Sequence, residues 1–404
     1  MRIYLFSQLT KRLIWGQNLP LRGWVVGLSL MAAASFGDRV TPAEVLNQQS
    51  RENRHVAISV TPGGDRVFVV WDGIVAGQRR IVGRESVQGE WLNEFVLDAE
   101  PAAANHSPDV AVDHMGNVHV VWLGRQSERD VVFYTARISE AWVPPIPLVA
   151  ADDLRGSADA VTIAVAPDGR PWIAWQSGTA NRVNIYCAEL CADRGEFVVH
   201  RLTPEAINYN LMPSIQFEHD TPVVYWYAAE NATFSLIAAR FLREQKTWEL
   251  FVPKNLDQLP ANRLPGLFAK GQEALAGIWY DQVQETERIF LGLQDPLTRG
   301  AGTIIDHRPR ALNHPVVGTF SSGNLIAVWC SMDDQTSRPQ VFYTRGVQLP
   351  TDHPDVLQVS DGRTSGFYNA PAVAPFDGGV VVTYTSDAAQ GGDGSVLFQK
   401  ILFE

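Results

Sequence analysis

The 404-residue sequence places Arg54, His106, Asp159, Leu211, Arg263, Asn313 and Asn369 at one recurring position, at intervals of about fifty residues. In five copies a proline follows two residues later: Pro108, Pro213, Pro265, Pro315 and Pro371. Six of the seven residues are polar or charged, although an apolar stretch follows each. A guanidinium holds a carboxylate through two parallel hydrogen bonds, so Arg54 and Arg263 favour an anionic group such as a uronate or another acidic sugar. Beside this position stand Asn53, His55, Asn105, Tyr209, Asn210 and Tyr368. The expected ligand-binding set is Arg54, His106, Asp159, Arg263, Asn313 and Asn369. If the protein is an enzyme, the catalytic candidates are His106, Arg54, Arg263, Tyr209 and Tyr368. A polar residue entering a strand also often caps the local backbone, so single members have a structural alternative.

The elements that position these residues are repeats. Each copy has an apolar strand, a turn usually carrying glycine, and a strand ending in an aromatic residue, as in "VAVDHMGNVHVVW" to Trp122, "IAVAPDGRPWIAW" to Trp175 and "VGTFSSGNLIAVW" to Trp329. The seven terminal aromatics are Trp71, Trp122, Trp175, Trp226, Trp279, Trp329 and Tyr384. A third strand follows in the form "VVFYTA" or "QVFYTR", and most copies have a recognisable fourth. Four short strands per fifty residues, repeated radially, predict an all-β fold: a seven-bladed β-propeller of four-stranded blades. The terminal aromatics then fill space between blades. The crossings from one blade to the next all lie on one face, around the central channel. Proline suits the first residue of a strand, where no ladder donor is needed. Loops between second and third strands open on the same face and contribute Asp72, Arg125, Glu128 and Arg129, among others.

The seventh copy ends at its third strand, "GSVLFQKILFE". The segment "DRVTPAEVL", Asp38 to Leu46, resembles "HRLTPEAIN", His200 to Asn208, which carries the outer strand of the third copy. The expectation is that Arg39 to Thr41 pairs with the C-terminal strand, closing the ring and covering an exposed edge.

Residues 1–34 have the form of a signal peptide. Lys11, Arg12 and Arg22 precede the apolar run Trp24 to Phe36, and Ala32-Ala33-Ala34 before Ser35 suits cleavage. An uncleaved anchor is the alternative. Residues 35–404 are then one propeller domain, exported to the medium or to the periplasm and cell envelope, with no membrane insertion after cleavage. The net charge of -11 argues against nucleic acid as partner. No nucleotide, haem or quinone motif is visible and no cofactor is expected. A structural calcium stays open, since carboxylates and backbone carbonyls would suffice. Cys187 and Cys191 would form a disulfide only if the chain turned between them; two buried thiols are the other reading. The oligomeric state stays open.

Carried by "SPDVAVDHMGNVHVVW" and "VTIAVAPDGRPWIAW", the mature chain resembles the bacterial propellers of the sialidase-like, BNR-repeat superfamily. In such sialidases an arginine triad and a tyrosine–glutamate pair do the chemistry. "NRLP", Asn262 to Pro265, resembles the family's R-I-P motif, which makes Arg263 a triad candidate, with Arg54 at the equivalent place in the first copy. The motif opens the fifth copy here rather than the first, and Asp boxes survive only as "SVQGEW" and "ADRGEF". The residues therefore favour a propeller that binds an acidic glycan or protein ligand at the mouth of its channel. The alternative is a carbohydrate-active enzyme, a sialidase-like glycosidase or a polysaccharide lyase; resemblance to propeller polysaccharide lyases implies that Arg54 neutralises a uronate carboxylate while His106, Tyr209 or Tyr368 takes the adjacent proton.

Overall fold

The computed structural model describes residues 37–403 apart from 99–103, 154–155, 192–194, 206, 231–232, 253–258, 261–267, 271–274, 284–285, 294–302, 307–315, 320–324, 333–338, 346–355, 361–370 and 387–393, and it describes 259–306 by backbone alone. Among these residues the regular elements are all strands. They build one antiparallel meander again and again. In the first copy Arg51–Val60 pairs with Arg66–Val75, which pairs with Gln78–Val87, and the short pieces Glu90–Trp91 and Phe95–Val96 lie outermost. Asn105–Val112, Val118–Gln126 and Arg129–Ile138 repeat that order, with Ala141–Trp142 and Ile146–Leu148 outside. The strands assemble into six sheets among the described residues. One has nine strands because a single parallel bridge, Val183 to Tyr209, joins two consecutive copies.

The first strand of a copy differs from its sequence-based outline. In the second and fourth copies it begins before the proline rather than at it: Pro108 lies inside Asn105–Val112 and Pro213 inside Tyr209–Glu218, whereas in the last copy Ala372–Phe376 begins just after Pro371. The ladder slips at these points, between His106 and Asp109 and between Leu211 and Ser214. A bulge leaves a residue unpaired, so a proline there forfeits no ladder bond.

The core lies in layers between successive copies. Ala57, Phe68, Val70 and Ile81 of the first copy pack with Val110, Val118, Val120 and Trp122 of the second. The last copy packs on the first in the same way: Val381, Val396 and Phe398 meet Ile58, Val69 and Trp71. Trp71, Trp122, Trp226, Trp329 and Tyr384 are fully buried, as packing residues should be, and Trp175 nearly so; the side chain of Trp279 is outside the described residues. The outer aromatics reach back onto the preceding copy, Phe197 onto Tyr134 with ring centres 4.8 Å apart and Trp248 onto Trp172 at 5.9 Å.

At the N-terminal side, Arg39 pairs with Leu402 and Val40 with Ile401, antiparallel. A second short piece pairs Glu44 with Phe398 and Val45 with Leu397. Asp38, 1% exposed at its side chain, forms an ion pair with Arg345 and accepts a hydrogen bond from Tyr343 at 3.0 Å. Cys187 and Cys191 occupy one strand as free thiols, so the chain makes no turn between them.

Candidate functional site

The four described crossing positions are the last paired residues before a bulge, opposite the end of the second strand: Arg54 faces Asp72, His106 faces Leu123, Asp159 faces Gln176 and Leu211 faces Tyr227. They sit on a strand rather than in a loop. The next residue in each copy has a left-handed backbone: His55 (φ 44°), Ser107 (φ 51°), Ala160 (φ 45°) and Met212 (φ 56°). None is glycine, and such conformations are disfavoured for residues with a side chain, most of all away from Asn and Asp. A strained, repeated bulge swings successive side chains apart at one end of the sheets, a common arrangement beside active sites.

Arg54 is exposed and makes no ion pair or hydrogen bond among the described residues. His55 beside it is 54% exposed at its side chain, and its Nδ1 lies 2.6 Å from Oδ1 of Asp72, which is wholly buried. Asp72 accepts two more bonds, from Arg79 on Oδ2 at 2.7 Å and from the Ser107 N–H at 3.2 Å. Burial alone would raise this carboxyl; the hydrogen bonds from His55, Arg79 and the Ser107 N–H outweigh burial and hold it below the usual carboxylate range. Asp72 is therefore an ionised acceptor, which makes His55 Nδ1 the donor and leaves Nε2 as its free nitrogen.

His106 is placed differently. Its Nδ1 lies 3.1 Å from Ser107 Oγ and its Nε2 3.6 Å from Oδ1 of Asp130. Asp130 also takes a bond from Arg125 at 3.2 Å. Both ring nitrogens of His106 thus face protein groups. Asp159 is exposed, accepts from Gln176 at 3.1 Å and caps the Ala160 N–H at 2.9 Å. Tyr209 is exposed and donates to the Ala180 carbonyl at 3.1 Å; no bond links it to Arg54 or His106 among the described residues. Arg263, Asn313, Tyr368 and Asn369 lie outside the described residues.

Three of the polar neighbours are not part of an open mouth. Asn53, Asn105 and Asn210 are buried. Asn105 and Asn210 accept from the indoles of Trp122 and Trp226 at 3.1 and 3.0 Å, and Asn53 donates to the Gly394 carbonyl at 2.7 Å. Gly124 makes room for this amide, since a Cβ there would stand 2.7 Å from Asn105 Oδ1. His55, Asp72 and Arg79 gain a prominence that spacing did not give them. The available signal was their chemistry, a His one residue after the variable position and an Asp one residue after Trp71.

Among the described residues no group of three or more His, Cys, Asp or Glu could hold a metal ion. A separate cleft of about 620 Å³ between the first two copies is lined by Phe95, Trp142, Pro144 and Pro145 and offers no titratable group.

Comparison with solved structures gives the class of fold. An ulvan lyase, described as a new family of polysaccharide lyase, is similar at TM-score 0.58 and 8% identity, over 89% of this chain and 95% of that one. Another polysaccharide lyase is similar at TM-score 0.57 and 11% identity, over 89% and 91%. Sialidase from Trypanosoma rangeli is similar at TM-score 0.50 and 10% identity, over 90% of this chain and 59% of that one. The chain has the fold of sialidase-like β-propellers. No family model and no curated protein matches the sequence.

Proposed function

We propose that the protein is an exported carbohydrate-active enzyme, a closed seven-bladed propeller that cleaves an acidic polysaccharide by elimination on its crossing face. The observation that carries this is Arg54 beside His55: an exposed guanidinium with no ion-pair partner among the described residues, next to an exposed imidazole whose Nδ1 is held by buried Asp72. Arg54 holds the carboxylate of a uronate. His55 Nε2 takes the proton from the carbon next to that carboxylate, and the electron pair left behind becomes a carbon–carbon double bond. The glycosidic oxygen on the adjacent carbon leaves and takes a proton from solvent, while His55 later returns its proton to water.

Two of the similar structures are polysaccharide lyases, which favours this reading over simple ligand binding. The sequence offered His106, Tyr209 or Tyr368 as the proton acceptor; His55 suits the role better because a buried carboxylate holds its Nδ1, whereas His106 Nδ1 meets a serine hydroxyl. Ring closure is supported by the packing of the last copy on the first and by the pairing of Val40 with Ile401.

The test is incubation of the full chain with uronate-containing and neutral polysaccharides, followed by ultraviolet absorbance of the unsaturated uronate. The expected result is absorbance growing only with uronate-containing chains. Binding without product would make the protein a glycan-binding module, and neither binding nor product would sink the proposal.

A further inference from the structure

The residue after the terminal tryptophan of the second strand meets one structural need that different copies answer differently. The left-handed residue of each bulge turns its N–H out of the ladder, and that donor needs an acceptor. At Met212 the acceptor is Gln176 Oε1 of the preceding copy, at 2.7 Å. At Ala160 the preceding copy offers only Leu123, and Asp159 caps its own neighbour at 2.9 Å instead. At Ser107 it is Asp72 Oδ1 of the preceding copy, at 3.2 Å.

A neutral amide therefore suffices to hold this bulge. A wholly buried carboxylate is more than the bulge requires, because burying an ion is unfavourable unless partners offset it. Asp72 spends its remaining capacity on His55 Nδ1 at 2.6 Å and on Arg79 at 2.7 Å. Arg79 is itself mostly buried and lies 3.5 Å from Glu52.

We propose that Asp72 is a positioning residue for the proton-accepting histidine: it fixes His55 as the Nδ1–H tautomer with Nε2 open on the crossing face and, through the Ser107 N–H, sets the bulge that carries His106. The inference rests on the elimination reading for its purpose, and on geometry alone for the tautomer. When His55 takes a proton on Nε2, the positive charge forms against the Asp72 carboxylate. The carboxylate keeps its own charge, and Arg79 on its far oxygen holds it in place. A carboxylate that orients an imidazole and faces the imidazolium serves the same end in hydrolase triads. The combination with a second blade's backbone is particular to this site, where one side chain ties the two histidine-bearing bulges together.

The experiment is long-range proton–nitrogen correlation NMR of the histidines in the full chain, above the pH of about 6.5 at which an ordinary imidazole titrates. The His55 signal is assigned by its loss in His55→Gln. Wild type should show His55 protonated on Nδ1 with a bare Nε2. In Asp72→Asn the single amide oxygen cannot serve His55, Ser107 and Arg79 together, so the tautomer should shift toward Nε2–H. On any polysaccharide that wild type cleaves, Asp72→Asn should lower kcat by roughly 10²–10⁴-fold with KM little changed.

A wild-type His55 carrying its proton on Nε2 overturns the proposal, and so does an Asp72→Asn protein with the wild-type tautomer. If Asp72→Asn does not fold, the wild-type tautomer still decides. If wild type cleaves no polysaccharide, the elimination reading fails while the NMR result continues to judge the role of Asp72.

Discussion

Trp122 donates its indole N–H to the amide oxygen of Asn105, 3.1 Å away and buried with it, and Trp226 repeats the bond to Asn210 at 3.0 Å. The bond ties the end of the second strand to the crossing that enters the first. Trp122→Ala should destabilise the fold by about 3–5 kcal/mol, the usual range for truncating a buried aromatic. Asn105→Ala should cost about 1–3 kcal/mol, because it strands a buried donor. Equilibrium denaturation measures both. Unfolding of Trp122→Ala at the wild-type midpoint would show that this tryptophan is no packing residue.

The N-terminal segment offers a second test. Removing residues 38–46 takes away the partners of Leu397, Phe398, Ile401 and Leu402 and separates Asp38 from Arg345 and Tyr343. An uncovered edge strand invites pairing with another chain. The truncated protein should melt well below the full chain and aggregate as its concentration rises. Equal melting temperatures by calorimetry would mean that the segment does not stabilise the fold.

The third prediction concerns pH. His119 is buried, with Nδ1 2.8 Å from Tyr134 Oη and Nε2 3.9 Å from Asp113. Burial pushes its imidazole below the ordinary 6.5, and the Asp113 carboxylate offsets only part of that. The unfolded chain therefore takes up a proton at a pH where the folded chain does not. Stability should be intact above about pH 6.5 and fall as pH drops toward the folded value. His119→Gln keeps a hydrogen-bonding side chain without the titration, so its denaturation midpoint should vary less over that range. Asp72, whose folded carboxyl is held low, acts in a separate window: its contribution is present above about pH 4 and lost on further acidification. Parallel slopes for wild type and His119→Gln would remove His119 from the account.

Much of the architecture was legible because the strand period, the turn glycines and the terminal aromatics repeat. The likeness of "DRVTPAEVL" to "HRLTPEAIN" was enough to pair Val40 with the C-terminal strand. The bulges were not legible. Left-handed backbone announces itself in a sequence through Gly, Asn, Asp or His, whereas in three of the four described copies it falls on Ser107, Ala160 and Met212. Their strain is offset by tertiary bonds, such as that from the Met212 N–H to Gln176, which lie 36 residues apart in the chain. The polar crossing residues also divided in a way that spacing concealed. Where the residue repeats, as in Asn105 and Asn210, it serves a tryptophan; where it varies, Arg54 and Asp159 are exposed and His106 is half-buried against Ser107 and Asp130.

The most direct measurement compares initial rates on a uronate-containing polysaccharide and on the same chain with its carboxylates reduced to alcohols, for wild type, Arg54→Ala, His55→Ala and His106→Ala. Wild type should form the unsaturated product only from the carboxylated chain. His55→Ala should abolish it, and Arg54→Ala should reduce it by roughly 10²–10³-fold, the loss expected when a charge-stabilising group is removed. His106→Ala should retain most activity. Product from the reduced polysaccharide, or full activity in His55→Ala, would contradict an elimination driven by Arg54 and His55.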